Sequence, residues 1–456
     1  MKKYLSWGLL TYIKFLAKLA LFIHKPKVIG IAGSVGKTST RNALYAGLKD
    51  LIKVKLIEGN SETGVPLGIL GLEPESYTFK DWFKICLKAP LGLNYIKGFN
   101  YLIIEMGIDD PNPPKNMSYL LTIVKPDIAI SLNASAAHTQ QFEKALPNKS
   151  MTTEERYDLI LKAIAKEDTQ IITKSDCKFA IYNNDDPYIV ESITPFIKNN
   201  QTIKFLNFGQ TNNATITLQD YSVNTNGTFF SFAFKNQSQA LDIQFPNVIM
   251  PEVYKDSLSA VLLTGLALNL NMNSIATSLT DNLQLPNGRS SIFKGINKSY
   301  LIDSSYNASK SSMLAFLDLM QKLNTNNQPI VVVFGDMREL GNEAEMEHQE
   351  VARKIIEVTD YCFCVGVLTQ KYVMPIIENK LIETKWFPIA ITAGKYLAKH
   401  LPMNSLVLIK GSQNEIFLEE VTSQLLLDRN DRNKLCRQSD YWLKRKNHFF
   451  TSKLQN

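Results

Sequence analysis

Disulfide-stapled and metal-cluster scaffolds are the first to be excluded. The 456-residue chain has only five cysteines, Cys86, Cys177, Cys362, Cys364 and Cys436, and their spacing is not that of a metal site. Cys362-x-Cys364 sits in an apolar, strand-like run with both side chains on one face, so buried, reduced thiols of a cytosolic protein are expected. Histidine is equally scarce, at five, which leaves few places for imidazole chemistry. The chain has no internal repeat and no low-complexity tract, so a solenoid does not fit. No basic stretch is interleaved with aromatics, and the net charge of +7 reads as solvated lysines, not a nucleic-acid surface. Residues 4–23 form an apolar window long enough to span a bilayer, but it contains Lys14 and Lys18, which argues against spanning. No small-residue cleavage site separates this window from the next motif, so it is not a secretory leader.

What remains is ordinary globular composition, 45% hydrophobic and 20% charged, with length for two or three cores. Residues 1–27 predict an amphipathic helix, for which two readings stand. It either packs on the domain that follows, or it lies on the inner membrane surface through Trp7, Tyr12 and flanking lysines. Next comes Val28-Ile29-Gly30-Ile31-Ala32-Gly33-Ser34-Val35-Gly36-Lys37-Thr38-Ser39-Thr40, a β-branched run entering a glycine-rich turn that opens into a helix-compatible segment. Ile31 stands where the common phosphate-loop pattern has glycine, yet the strand before and the helix after supply the required context. Backbone N–H groups of Gly33, Ser34, Val35, Gly36 and Ser39 then face a nucleotide phosphate at a helix N-terminus. Lys37 reaches the terminal phosphates and the Thr38 hydroxyl ligates Mg²⁺.

From residue 28 to 287, strand-like runs (Val28–Ile31, Tyr101–Ile104, Asp127–Ser131, Gln170–Thr173, Phe179–Tyr182) alternate with helical stretches. That alternation predicts an α/β domain built on a mostly parallel sheet. Within residues 203–245, Thr215–Leu218 and Thr228–Phe234 read as antiparallel hairpins at the domain edge, and Pro251–Leu270 returns to helical periodicity. Leu285-Pro286-Asn287-Gly288 is a turn cluster and sets the boundary. Residues 288–456 carry a second, Rossmann-like α/β pattern, with buried-strand runs at Tyr300–Asp303, Ile330–Phe334, Tyr361–Val365 and Leu406–Ile409.

Ligands bind at strand ends in open parallel sheets. That gives weight to Glu105 after Ile103-Ile104, to His138 beyond Ser131-Leu132-Asn133, and to Asn183-Asn184-Asp185-Asp186-Pro187. Alone, Glu105 serves equally as a cap or ion-pair partner, and His138 as a structural residue; their position behind a phosphate loop makes them candidates for metal and catalysis. One decoy is Thr173-Lys174-Ser175-Asp176, which has the form of a guanine-reading motif. It lacks the Asp-x-x-Gly switch that a GTPase requires between loop and motif.

Together, Gly33–Thr38, Glu105-Met106-Gly107, Lys125-Pro126-Asp127 with Asn133 to His138, and Asn184–Pro187 resemble the Mur ligases in order and spacing. The second half adds Pro286-Asn287-Gly288-Arg289, Ile302-Asp303-Ser304-Ser305-Tyr306-Asn307-Ala308, Phe334-Gly335-Asp336-Met337-Arg338-Glu339-Leu340-Gly341 with His348, and Lys410-Gly411-Ser412. These blocks resemble the branch that adds D-alanyl-D-alanine to a UDP-muramoyl tripeptide. The resemblance implies an ATP- and Mg²⁺-dependent, cytoplasmic, monomeric amide ligase of peptidoglycan synthesis that passes through an acyl phosphate. It further implies Lys37, Glu105 and His138 as catalytic residues, Thr38, Glu105 and His138 as metal ligands, and Arg289, Asp303, Tyr306 and Asn307 as nucleotide contacts. Alternatives are a Mur-like ligase for a lipid-linked or other non-UDP acceptor, or a nucleotide-binding scaffold that has lost catalysis.

Four departures accompany the resemblance. Only 27 residues precede the loop strand, too few for the family's own N-terminal domain. Arg156 stands where many relatives have a carbamylated lysine, with Lys162 as the other candidate. Pro251-Glu252 replaces a usual His-Asn, and Lys310 replaces a usual proline.

Overall fold

A computed structural model describes residues 2–74, 78–135, 139–145, 151–211, 213–235, 239–413 and 415–454. The chain divides into two compact units. One comprises Met1–Asp220, Phe230–Ile243 and Tyr254–Gln284; the other comprises Tyr221–Phe229, Gln244–Val253 and Leu285–Asn456.

The first unit is organised by strand β1 (Lys27–Ala32), whose last five residues are buried. A strand covered on both faces is apolar throughout, and such strands pair in parallel. The sheet continues through β2 (Val54–Ile57), β3 (Tyr101–Glu105), β4 (Ile128–Ser131), β5 (Phe179–Asn183), β6 (Lys204–Phe208), β7 (Ile216–Asn224), β8 (Gly227–Phe234) and β9 (Leu241–Pro246), of which residues 221–224, 227–229 and 244–246 are counted with the second unit. Their spatial order is β2-β3-β1-β4-β5-β6-β7-β8-β9, and every pair from β2 to β6 is parallel. From β1 the chain leaves toward β2, whereas from β4 it leaves toward β5. The crevice between the carboxyl ends of β1 and β4 is therefore the switch point at which ligands bind. Two residues join the neighbouring strands β7 and β8, a link short enough only for an antiparallel hairpin, as expected from the alternation.

Helix α1 (Lys2–His24) buries Ile13, Leu16, Ala17 and Ala20 in the core of this unit. Helix α2 (Lys37–Leu48) buries Thr40, Ala43, Leu44 and Gly47, spacings of three and four that define one face. A Cβ on Gly47 would lie 2.8 Å from Val261 Cγ1, so glycine here lets the helix Tyr254–Ala267 approach closely.

One expected strand is a helix. Gln170–Thr173 forms a turn of α-helix that carries on from the helix Thr153–Asp168. Thr173 N–H donates to Thr169 O, and Ile171 and Ile172 are fully buried. A four-residue apolar run has no usable period, so its state is set by what precedes it, here a capped helix. Thr173-Lys174-Ser175-Asp176 thus follows a helix, not a strand, and its charged members are engaged elsewhere: Lys174 with Ser118, Asp176 with Lys125.

The second unit has β10 (Ser291–Lys294), β11 (Tyr300–Ser304), β12 (Ile330–Gly335), β13 (Tyr361–Val365), β14 (Glu383–Phe387) and β15 (Leu406–Lys410). They are ordered β10-β11-β15-β12-β13-β14, and only β10 is antiparallel. Apolar clusters cover both faces of this sheet. Cys362 and Cys364 are both buried within it, their Sγ atoms 4.0 Å apart.

Candidate active site

The loop between β1 and α2 is shaped by two glycines with left-handed backbones, Gly33 at φ +137° and Gly36 at φ +89°. A Cβ on Gly33 would meet Leu132 Cβ at 2.9 Å and Asn133 N at 3.1 Å, so glycine there is both a conformational and a steric requirement. Asn133, just beyond β4, fixes the loop across the crevice. Its carbonyl accepts Ser34 N–H (2.9 Å), its side-chain oxygen accepts Val35 N–H (2.9 Å), and its amide donates to Val35 O (2.9 Å). No side chain caps α2. Its first-turn N–H groups, those of Lys37, Thr38 and Ser39 among them, therefore carry the partial positive charge that favours an anion. Lys37 Nζ bends back onto the carbonyls of Gly33 (2.5 Å) and Ser34 (3.1 Å).

Beside α2, at the end of β3, Glu105 is 4% exposed. One carboxylate oxygen accepts the Thr38 hydroxyl (3.0 Å) and the other the Asn60 amide (3.2 Å). Both donors are neutral, and Glu105 is in no ion pair among the described residues. A buried carboxylate without a cation is costly, and oxygen donors from a threonine and a glutamate match the chemistry of Mg²⁺. These two residues therefore fit such an ion. His138 lies outside the described residues.

Three further residues shape the crevice. Asp186 caps the helix Pro187–Asn199 through Tyr188 and Ile189 N–H, and its second oxygen accepts Ala134 N–H at 2.8 Å. The Asn183–Pro187 segment thus anchors the turn after β4. Asn60 holds both Glu105 and the Gly107 N–H. Asp168, 1% exposed, accepts the N–H of Gly33 at 3.2 Å, while its other oxygen meets no hydrogen-bond partner among the described residues. Burial pushes its carboxyl up to about 7, opposed by Lys37 and the Gly33 N–H. Sequence reasoning missed Asn60 and Asp168. The only signal for Asp168 is its burial-prone place at the end of a capped helix.

In the second unit, Asp303, next to last in β11, is fully buried, with one oxygen accepting Ser305 N–H at 3.1 Å and the other lacking a hydrogen-bond partner among the described residues. Burial raises it to about 6. Lys410 lies across the register from Ser304 at the end of β15. Its Nζ donates to Ser304 Oγ (3.2 Å) and Asn307 O (2.9 Å), and burial, with Arg289 adding to it, lowers it to about 7. The Arg289 guanidinium stacks 4.8 Å above the Tyr306 ring. Asn307 accepts the Ser412 hydroxyl at 3.2 Å. The four expected residues Arg289, Asp303, Tyr306 and Asn307 thus fall in one neighbourhood, with Lys410 at its centre. Arg437 braces it from behind, paired in two bonds with Glu419 (2.8 and 2.6 Å) and donating to the carbonyls of Ser305 and Tyr306. His348 is structural: Nδ1 donates to Ala344 O and Nε2 accepts Met337 N–H, and burial lowers its affinity for a proton.

The departures have local roles. Arg156 pairs with Glu143 (2.8 Å), Lys162 with Asp158 (3.0 Å), Lys310 with Glu350 (2.9 Å), and Glu252 with Lys322 (2.6 Å).

Comparison with known proteins gives two family matches. The Mur ligase middle domain family matches residues 31–148, and the Mur ligase glutamate ligase domain family matches 288–413. The UDP-N-acetylmuramoyl-tripeptide--D-alanyl-D-alanine ligase of Rickettsia prowazekii is 28% identical over 404 residues, 87% of this chain and 78% of that protein. The protein of the same description from Borreliella burgdorferi is 26% identical, over 88% and 76%. Among solved structures, the MurF ligase of Thermotoga maritima in complex with ADP superposes with a TM-score of 0.69 at 22% identity. That superposition covers 91% of this chain and 83% of the other.

Proposed function

The chain belongs to the Mur ligases, ATP-dependent carboxylate–amine ligases that form ADP and phosphate, and from that premise we propose that it joins D-alanyl-D-alanine to a UDP-muramoyl tripeptide. The observation that carries the reading is the Thr38–Glu105 pair at the mouth of an uncapped, glycine-shaped phosphate loop. In this reading the tripeptide carboxylate attacks the γ-phosphorus of ATP, the bond to the β-phosphate oxygen breaks, and ADP leaves. The dipeptide amine then attacks the acyl carbon, loses its proton, and displaces phosphate.

Phosphoryl transfer asks for positioning and charge neutralisation more than covalent chemistry. The loop N–H groups of Gly33 to Ser39 cradle the phosphates, and Lys37 leaves its carbonyls to meet the terminal ones. Thr38 and Glu105 would hold Mg²⁺, which when bound would neutralise phosphate charge; His138 is assigned to metal and catalysis on the resemblance. Arg289, Asp303, Tyr306 and Asn307 are assigned as nucleotide contacts on the resemblance. The enzyme acts as a monomer on small-molecule substrates in the cytoplasm.

Phosphate release from ATP and Mg²⁺, with both substrates present and then each omitted, tests the reading. The expected result is release only with the complete mixture. ATP binding without release under every combination would overturn the ligase assignment. Release that needs another carboxylate acceptor would overturn the substrate and keep the chemistry.

A further inference from the structure

Helix α1 has two apolar faces and the fold uses one. Ile13, Leu16, Ala17 and Ala20 are packed in the core, while Trp7, Phe15 and Phe22 on the far side are 45%, 62% and 74% exposed, and Ile23 near the helix end is 52% exposed. A surface helix normally turns charge to water. The neighbouring helix Phe79–Lys88 and the 3₁₀ turn Ala89–Asn94 repeat the anomaly, with Phe83, Leu87 and Leu91 exposed by 59%, 65% and 82%. The two are held side by side: the Tyr12 hydroxyl donates to Cys86 O at 3.2 Å and His24 Nε2 lies 3.0 Å from Leu93 O. Contiguous exposed apolar side chains on this scale mark an interaction surface.

Charge identifies the occupant. Residues 1–27 contain six lysines and no acid, and residues 79–99 contain four lysines and one acid, Asp81. The two stretches carry +9 against +7 for the whole chain, so everything else sums to −2. Asp81 is buried, which leaves the surface without an exposed acid from either stretch. Lys18, Lys25, Lys84, Lys88 and Lys97 are exposed and in no ion pair among the described residues. At the end of α1 a concavity of about 600 Å³ adds His24, Lys27 and Lys53 to Lys25, again with no carboxylate in its lining.

We propose that α1, the helix Phe79–Lys88 and the turn after it form a docking surface for an anionic phospholipid bilayer, with the aromatic and aliphatic side chains inserted among the headgroups and the lysines on the phosphates. Trp7–His24 is long and apolar enough to cross a membrane, but crossing would pull Ile13, Leu16, Ala17 and Ala20 out of the core. The helix therefore lies in the interface plane. The inference is independent of the substrate assigned above.

The test is sedimentation of the full chain with vesicles of phosphatidylcholine alone and of phosphatidylcholine with phosphatidylglycerol. The expected result is binding to the mixed vesicles, weakened by added salt and by neutral lipid. The triple substitution Trp7→Ser, Phe15→Ser, Phe22→Ser should cut partitioning about tenfold, and the pair Phe83→Ser, Leu87→Ser should weaken it separately, both with unchanged circular dichroism and ATP turnover. Equal sedimentation of wild type and both variants, or none by wild type, would overturn the proposal. So would a wild-type dimer in light scattering that the same substitutions convert to monomer, because the face would then belong to a second copy.

Discussion

The two strand-end clusters differ in how their charges are satisfied. In the first unit, Glu105 meets only neutral donors and Lys37 is folded onto its own loop carbonyls, so both keep their charge to offer an ionic ligand. In the second unit the strong charges are mostly consumed internally: Arg437 and Lys446 pair with the buried Glu419 and Glu420, and Asp303 and Lys410 are pushed toward neutrality by burial. The first cluster is arranged around something to be bound, and the second around its own scaffold, with Arg289 and Tyr306 at its edge. Substitution should therefore cost activity in one and stability in the other.

That contrast predicts the largest effect for Lys37→Ala and Glu105→Ala. Each should lower ATP turnover by about a thousandfold or more while leaving the thermal midpoint nearly unchanged; turnover within a few fold of wild type in either variant would mean the site lies elsewhere. Next is Arg437→Ala, which removes both guanidinium bonds to the buried Glu419 and leaves it only the longer contact with Lys446 at 3.4 Å, and should cost about 3 kcal/mol in denaturant unfolding. A loss under about 1 kcal/mol would dissolve the distinction between the clusters. Arg289→Ala, at the edge of the second cluster, should weaken ATP binding roughly tenfold with little change in stability, consistent with loss of a charge-assisted contact. Titration calorimetry reads this directly.

The smallest effect concerns pH. Folding raises the Asp168 carboxyl from 3.8 to about 7, so between those values the folded state binds more protons than the unfolded one. Stability contributed by the neutral form is then lost as pH rises from about 4 through about 7. Asp303 shares this sign, with its carboxyl at about 6. Lys410 has the opposite one, because its lowered affinity for protons makes stability rise between about 7 and 10.5. Asp168→Asn should partly flatten the decline below neutrality and leave the alkaline limb alone. An unaltered acid-side profile would show that Asp168 does not titrate with folding.

Much of this was legible in the sequence where local chemistry decides structure. Strands β1, β3, β4, β5, β11, β12, β13 and β15 announce themselves as buried apolar runs, and a glycine-rich turn at the end of β1 and Glu105 at the end of β3 follow from them. Gln170–Thr173 was misjudged because four apolar residues have no period, and the preceding capped helix decides them. Strand β14 escaped because an edge strand reading Glu-Thr-Lys-Trp-Phe is mostly polar. Asp168 and Asn60 escaped for a different reason. Their roles exist only through partners 135 and 45 residues away, a proximity that the fold creates and no local pattern encodes.

The position of Lys37 bears on how the loop trades ligands. Its ammonium has two oxygen partners within its own loop, so contact with a phosphate exchanges those carbonyls for phosphate oxygens. The net gain on binding is the difference between two sets of contacts. When product departs, the carbonyls receive the ammonium again and no bare cation is left behind. What the loop holds is thus set by an exchange of contacts within a fixed frame of backbone oxygens.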